Sequence, residues 1–172
     1  MKRFFPLFLL LSAAILLLTG CTARQEEPVL YEPPAESWQG DAPQDVLDLI
    51  TGCGHTVTPV STEPGILHAQ RYYAELDDDR LHAVSVFRYE SAKAAQAEAA
   101  CIDADGYGFR FPLEGDEVSL VQVSWVDTPH FYLDGDRIIL YIGRDAGIRF
   151  ALKEAFGAPF AGTDVAASCG TE

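Results

Sequence analysis

Residues 130–142 read HFYLDGDRIILYI, and this stretch decides the fold. Asp134-Gly135 separates two apolar runs, and this pair is typical of two-residue hairpin turns because both residues tolerate positive φ. From Ile138 to Ile142 every position is apolar, which is typical of a strand that is buried on both faces. The stretch therefore predicts a β-hairpin whose second strand lies in the centre of a sheet.

Three helices are predicted from capping residues and apolar spacing. The clearest follows the hairpin directly, because Asp145 can cap its start and Gly157 suits the left-handed position that ends a helix. The other two are expected to begin at Asp41 and at Ser91, and both carry apolar residues at helical spacing.

Alternating and apolar runs predict the remaining strands. An acidic turn at Asp77-Asp78-Asp79 separates two of them, and residues 55–65, rich in Thr, Ser and Pro, are expected to form a loop or an irregular strand. Short connections favour antiparallel pairing, so the sequence predicts an α+β fold: a single two-layer domain with a mainly antiparallel sheet and helices on one face. The predicted strands outside the hairpin are 67–75, 81–89, 108–111 and 117–126.

Length and charge narrow the class of protein. The 172 residues fit one domain with tails. Lys and Arg number 12 against 26 Asp and Glu, which gives a formal net charge of −14, and the basic residues are scattered. Nucleic-acid binding needs clustered basic residues, so no nucleic-acid partner is predicted.

The first 21 residues have the pattern of an export signal. Lys2 and Arg3 precede an apolar run from Phe4 to Leu18, and the small residues Thr19 and Gly20 separate this run from Cys21. The segment thus ends in Leu18-Thr19-Gly20-Cys21. This segment resembles the signal peptide and lipobox of bacterial lipoproteins. The resemblance implies cleavage before Cys21, attachment of acyl chains to Cys21, and location on the extracytoplasmic side of the cell membrane, or on the outer membrane of a bacterium that has two.

The resemblance and the composition together predict four segments. Residues 1–20 are the signal peptide, 21–40 a flexible tether rich in Pro and Glu, 41–162 the α+β domain, and 163–172 a disordered tail. The lipid on Cys21 is then the contact with the membrane, because an acidic domain is repelled by an anionic membrane surface.

Three cysteines remain if Cys21 carries lipid. Cys53 and Cys101 each fall on the apolar face of a predicted helix, so they are the predicted disulfide pair, and two buried free thiols are the alternative. Cys169 lies in the small-residue tail and is expected to be free.

The sequence carries no recognised catalytic pattern. The Gly-x-Ser-x-Gly elbow of common serine hydrolases is missing, and no two histidines have the helical spacing of a zinc protease. No catalytic residue, cofactor or metal site is therefore predicted, although a site assembled from distant parts of the chain remains the alternative. The four isolated histidines are His55, His68, His82 and His130.

Aromatic residues cluster at strand spacing near the hairpin. Such residues are usually core, but alternation turns some of them away from the helices. An uncovered aromatic sheet face would bind a peptide, a glycan or a partner protein. The predicted surface comprises Trp125, His130, Phe131, Tyr132 and Tyr141.

Three classes of function follow from these observations. The first is a noncatalytic, membrane-anchored module that binds an envelope protein, peptide or glycan. The second is an envelope hydrolase whose active site combines dispersed histidines and carboxylates. The third is a purely structural or assembly accessory. A cleft that gathers two or more histidines with acids would favour the hydrolase, and a flat aromatic sheet face would favour binding.

Overall fold

The computed structural model describes residues 38–60, 65–113 and 116–162. The predicted signal peptide, the lipobox with Cys21, the tether up to residue 37, and the predicted tail with Cys169 lie outside the described residues.

The described residues form three helices and eight strands. No helix among them has both the length and the apolarity that a membrane span requires. In chain order the elements are α1 (Gln44–Gly52), β1 (Val57–Val60), β2 (Gln70–Leu76), β3 (Asp79–Arg88), α2 (Ala92–Ala99), β4 (Gly108–Pro112), β5 (Val118–Gln122), β6 (Pro129–Asp134), β7 (Arg137–Ile142), α3 (Ala146–Phe156) and β8 (Ala161–Gly162).

Six strands form one sheet in the order β1-β2-β3-β7-β6-β8, and every neighbouring pair is antiparallel. The predicted hairpin is present as β6 and β7, and β7 lies between β6 and β3. β4 and β5 form a separate two-stranded ribbon. The predicted α+β class with a mainly antiparallel sheet is confirmed, and residues 57–60 within the expected loop or irregular strand pair with β2.

The hairpin turn lies one residue later than predicted. Asp134 pairs with Arg137 across the strands, so the two loop residues are Gly135 and Asp136. Gly135 has φ of 57°, a conformation that glycine adopts without a Cβ penalty. Asp134 remains in the strand, where its carboxylate accepts a hydrogen bond from the Arg137 guanidinium.

Both faces of β7 are buried. Its side chains alternate, so that Ile138, Leu140 and Ile142 enter one hydrophobic cluster while Ile139 and Tyr141 enter another. The first cluster also contains side chains of α2 and of the β4–β5 ribbon. The second contains side chains of α1 and α3.

The layering differs from the predicted two layers with helices on one face. α1 and α3 cover one face of the sheet, and α2 covers the other together with the β4–β5 ribbon, so the sheet is the middle of three layers. The ribbon does not extend the main sheet because its inward side chains, Phe109 and Phe111, are buried against that second face. A strand that is apolar at every position needs this cover on both sides.

Most predicted helix ends are confirmed. The Ser91 hydroxyl accepts a hydrogen bond from the Ala94 N–H at 3.2 Å, and the Asp145 carboxylate accepts one from the Ile148 N–H at 2.9 Å. Gly157 ends α3 with φ of 85°. Asp41, however, is not a cap, because α1 begins only after Pro43.

The folded domain begins before the predicted boundary at residue 41. The Trp38 ring packs edge-on against Tyr72 with centroids 5.8 Å apart, and the Arg88 guanidinium lies 4.4 Å from the centre of the same ring. Trp38 also donates its indole N–H to the Asp41 carbonyl at 3.0 Å. Residues 38–40, predicted as the end of the tether, are therefore part of the domain.

Candidate functional site

The predicted aromatic binding face is buried core. His130, Phe131, Tyr132 and Tyr141 are each at most 1% exposed. The predicted alternation is correct, since Phe131 belongs to one cluster and Tyr132 to the other, but helices or the ribbon cover both faces. The prediction of an uncovered surface at these residues is therefore wrong.

Trp125, the fifth residue of that predicted surface, is half-buried beneath the ribbon. Its ring makes edge contacts with Phe109 and Phe131 at centroid distances of 6.4 and 6.1 Å. Its indole N–H donates to the Gly106 carbonyl at 2.8 Å, so the polar end of the side chain is satisfied within the domain.

The predicted Cys53–Cys101 disulfide is not formed. Both residues are free thiols, and Cys53 packs against the α1/α3 cluster while Cys101 packs against the cluster on the opposite sheet face. Both cysteines lie just after the helices on which they were predicted, Cys53 after α1 and Cys101 after α2, and the sheet separates them. Burial raises the pKa of the Cys101 thiol, and the nearby Glu98 carboxylate raises it further.

His55 links three elements at one end of the sheet. Its Nδ1 lies 2.7 Å from a carboxylate oxygen of Asp77 in the β2–β3 turn, and its Nε2 lies 3.8 Å from the Asp145 carboxylate that caps α3. Asp77 also accepts hydrogen bonds from the Thr56 N–H at 2.8 Å and the Thr56 hydroxyl at 3.0 Å. These bonds, with that from His55 as the largest, lower the pKa of Asp77 to about 2.

His82 lies at the same end of the sheet. Its Nε2 is 3.7 Å from the Asp127 carboxylate, which also pairs with Arg144 at 2.7 Å. The buried His130 is nearby, since its Nε2 lies 3.1 Å from the carbonyl oxygen of Gly143, the residue before Arg144. The fold thus gathers three of the four histidines at one end of the sheet.

The contacts of His55 and His82 have a structural role, because they hold neighbouring loops in place. Both ring nitrogens of His55 face carboxylates, so neither lies beside a hydroxyl or thiol that it could activate as a nucleophile. The carboxylates are themselves engaged, Asp145 as a helix cap and Asp77 in a turn whose residues have left-handed φ. These groups therefore hold α1, the β2–β3 turn and α3 together.

A polar groove of about 500 Å³ lies near the opposite end of the β2–β3 hairpin. The start of β2, the end of β3 with the link to α2, and α2 itself contribute its walls. The lining residues are His68, Ala69, Gln70, Arg88, Tyr89, Glu90 and Ala94.

Two side chains in this groove are held in place by neighbours. Arg88 donates to the Gln70 side-chain oxygen at 3.0 Å and to the Gln39 carbonyl, and it stacks on Trp38. His68 is fixed by Glu98, which lies 2.8 Å from its Nδ1 and accepts its backbone N–H at 2.7 Å. The groove therefore presents a guanidinium and an imidazole in defined positions.

The chemistry of the groove suits a polar ligand. A guanidinium and side-chain amides bind carboxylate, carbonyl and hydroxyl groups through directed hydrogen bonds, and the Glu90 carboxylate can accept them from a donor. The volume lies within the range of roughly 300 to 1,000 Å³ that is typical of small-molecule sites. The groove therefore has both the size and the polar groups that a small polar ligand requires.

Sequence reasoning did not identify the pairing of Gln70 with Arg88 that builds this groove. Pairs counted outward from the β2–β3 turn would place Gln70 opposite Ser85. An irregularity between Glu75 and Leu76 shifts the register, and Gln70 pairs with Arg88 instead. The only available signal was a basic residue at the end of a predicted strand, which by itself indicates no site.

Comparisons with known proteins add no relative. The chain matches no protein-family model, no curated protein and no solved structure. Across residues 38–60, 65–113 and 116–162, no group of three or more His, Cys, Asp or Glu side chains could hold a metal ion. The features of the chain that bear on its function are therefore the groove, the histidine contacts and the N-terminal sequence.

We expect the Asp77 carboxylate to make the unfolding free energy of the domain depend on pH. Its folded-state pKa, about 2, is below the ordinary value of 3.8, so its contribution is present above about pH 4 and is lost as the pH falls toward about 2. The wild type should therefore be more stable than Asp77→Asn above about pH 4, and this difference in unfolding free energy should decrease as the pH falls toward about 2. Urea unfolding at a series of pH values measures it.

The matched control is Asp78→Asn. Asp77 and Asp78 both have φ of 55°, a conformation that Asn also tolerates, so the two variants remove one negative charge from the same turn without a different backbone penalty. A gap between wild type and Asp77→Asn that stays constant from about pH 5 to about pH 2 would contradict the assigned role of the carboxylate.

Proposed function

We propose that this chain is a lipid-anchored bacterial protein of the extracytoplasmic side whose domain binds a peptide or glycan of the cell envelope without catalysis. The lipobox at Leu18-Thr19-Gly20-Cys21 supports the anchor. The observation that carries the binding function is the polar groove, in which Arg88 and His68 are held in place before any ligand arrives. Side chains ordered in advance lower the entropic cost of binding.

The tether connects this groove to the proposed anchor. Trp38, the first described residue, stacks on Arg88, which lines the groove. An extended chain from Cys21 to Trp38 spans at most about 60 Å, so the groove would operate within this distance of the membrane. An envelope polymer or a membrane-proximal protein lies within that reach.

The negative net charge of the chain indicates that the domain does not bind the membrane surface itself. Cleavage after residue 20 removes Lys2 and Arg3 and no acidic residue, so the formal charge changes from −14 to −16. Such a domain is repelled by anionic lipid head groups, which leaves the lipid on Cys21 as the proposed membrane contact.

A hydrolase is the second candidate, and His68 is the observation that favours it. An imidazole fixed by a carboxylate at 2.8 Å, in a groove of ligand size, is the arrangement of many general bases. In this version the groove would bind the same envelope polymer and His68 would activate a water molecule. The two candidates differ in whether the bound polymer remains intact.

The anchor is tested by metabolic labelling of cells with a fatty-acid probe. The wild type should incorporate the label and fractionate with membranes, and Cys21→Ala should lose both properties because the thiol is the acylation site. Cys169→Ala, the same change at the other end of the chain, should retain both. Equal labelling of the wild type and Cys21→Ala would sink the proposal of an anchor at this residue.

The groove is tested by reducing its volume. Ala94→Gln adds a helix-compatible side chain to the groove wall, and Ala97→Gln adds the same side chain at an exposed position of α2. Peptides and oligosaccharides released from the envelope by enzymatic digestion serve as probes. We expect Ala94→Gln to weaken binding at least about tenfold, equivalent to 1.4 kcal/mol, and Ala97→Gln to leave it unchanged.

Mass spectrometry of the incubated probes distinguishes the two candidates. Intact probes agree with a binding module, whereas cleavage that disappears in His68→Gln establishes the hydrolase. Equal affinity in Ala94→Gln and the wild type would show that the groove is not the binding site.

A further inference from the structure

The β4–β5 ribbon has one protected edge and one exposed edge. On the β4 side, the Arg110 N–H donates to the Cys101 carbonyl at 2.7 Å and the Asp103 N–H donates to the Gly108 carbonyl at 2.8 Å. Pro112, at the end of β4, has no N–H to offer. The outer edge of β4 is therefore closed to another strand.

Hydrogen-bond alternation shows which groups of β5 point outward. The Val123 N–H donates to the Tyr107 carbonyl and the Leu113 N–H to the Glu117 carbonyl, both at 2.9 Å. Bonded and non-bonded pairs alternate along an antiparallel ladder, so the odd-numbered residues of β5 bond to β4. The residues whose N–H and C=O groups point away from β4 are Val118, Leu120 and Gln122.

No strand among the described residues pairs with this outer edge of β5. Both edge strands of the main sheet, by contrast, are protected against pairing with another strand. β1 carries Pro59, and β8 has only two residues. Proline and short length are two of the devices by which proteins prevent unwanted strand pairing. Neither device is present in β5.

The outer face of β5 carries three exposed side chains, of which Val118 and Leu120 are apolar and Gln122 is polar. Leu120 is 73% exposed and Val118 is 52% exposed, while Val121 faces inward against the core cluster. An edge strand with free backbone groups and exposed apolar side chains is the surface to which an extended peptide adds as a new strand. Backbone hydrogen bonds supply the affinity and the outer side chains supply selectivity.

The local charge indicates the kind of partner. Asp116 and Glu117 are exposed directly before β5, and the one basic side chain of β4, Arg110, is paired with Asp103 at 2.9 Å. The free charge beside the edge is therefore negative. A second copy of this chain, with a formal charge of −14, would be repelled, whereas a segment with Lys or Arg would be attracted.

We infer that β5 is a docking edge for an extended segment of a partner protein, added antiparallel to β5, with alternating apolar residues followed by Lys or Arg. In this orientation the basic end of the segment lies beside Asp116 and Glu117. The site is separate from the groove that carries the proposed function, because it lies on the ribbon and uses backbone groups of Val118, Leu120 and Gln122.

The test uses the full chain in detergent micelles and a synthetic peptide, Thr-Val-Thr-Val-Thr-Lys-Lys. Calorimetry measures affinity, and amide exchange by NMR locates the contact. The peptide should protect the outward amides of Val118, Leu120 and Gln122 and leave those of Ser119 and Val121, already bonded to β4, unchanged. A peptide ending in Glu-Glu should bind at least about tenfold more weakly.

Leu120→Pro isolates the backbone contribution. It removes one outward N–H and no donor to β4, and Pro112 already occupies the equivalent type of position on the neighbouring strand. We expect about a tenfold loss of affinity for the Lys-Lys peptide. Leu120→Thr, which keeps the N–H, should lose less. Thermal unfolding verifies that both variants fold, and the comparison of the two peptides requires no variant.

Three results would overturn the inference. They are failure of the Lys-Lys peptide to bind the wild type, equal affinity of Leu120→Pro and the wild type, and concentration-dependent dimerisation that Leu120→Pro abolishes. The last result would assign the edge to a second copy of the chain.

Discussion

The whole domain depends on the burial of β7 from both sides. A strand with Ile, Leu and Tyr at consecutive positions exposes apolar surface on two faces, and the free energy of burying it is available only if each face is covered. α1 and α3 cover one face, and α2 with the β4–β5 ribbon covers the other. Every other element of the domain either covers this strand or extends its sheet.

An ion pair connects this central strand to the first helix. Arg137, at the start of β7, donates to both carboxylate oxygens of Asp45 in α1, at 2.9 and 2.7 Å. The hydrogen bond from Arg137 lowers the pKa of Asp45. Bidentate geometry fixes direction as well as distance, so the pair orients α1 over the sheet. The helix is thereby positioned by a charged contact at its start and by apolar contacts along its length.

Local features of the fold were readable from the sequence, because they depend on neighbouring residues. Ser91 and Asp145 cap helices as predicted, and the hairpin of β6 and β7 forms at its Asp-Gly turn with a shift of one residue. Layering was not readable, because alternation shows that Phe131 and Tyr132 face opposite ways but not what lies opposite each of them.

The same limit explains the errors in the predicted site. Cys53 and Cys101 were predicted on similar helix faces, but each lies just after the end of its helix, and α1 and α2 lie on opposite sides of the sheet. Part of the groove arises from a register shift beside Glu75, which brings Arg88 opposite Gln70. Such long-range relations depend on how elements pack, and no local pattern in the sequence encodes them.

We expect the binding surfaces of this domain to lie at the borders of the layers that cover the sheet. The groove opens where the β2–β3 hairpin passes α2, and the free edge of β5 arises because the ribbon folds over the sheet instead of joining it. Both places offer polar groups that the core does not use. The proposed lipid on Cys21 would keep these surfaces close to a membrane without requiring the domain itself to touch lipid.

Unfolding of Ile139→Ala and Leu140→Ala in urea tests the burial of both faces most directly. These neighbours enter opposite clusters, so each variant should lose about 2 to 5 kcal/mol of unfolding free energy. Leu120→Ala, at an exposed position, should stay within about 0.5 kcal/mol of the wild type. A loss at Ile139 or Leu140 no larger than that at Leu120 would show that the corresponding face of β7 is not covered, and would contradict the three-layer fold.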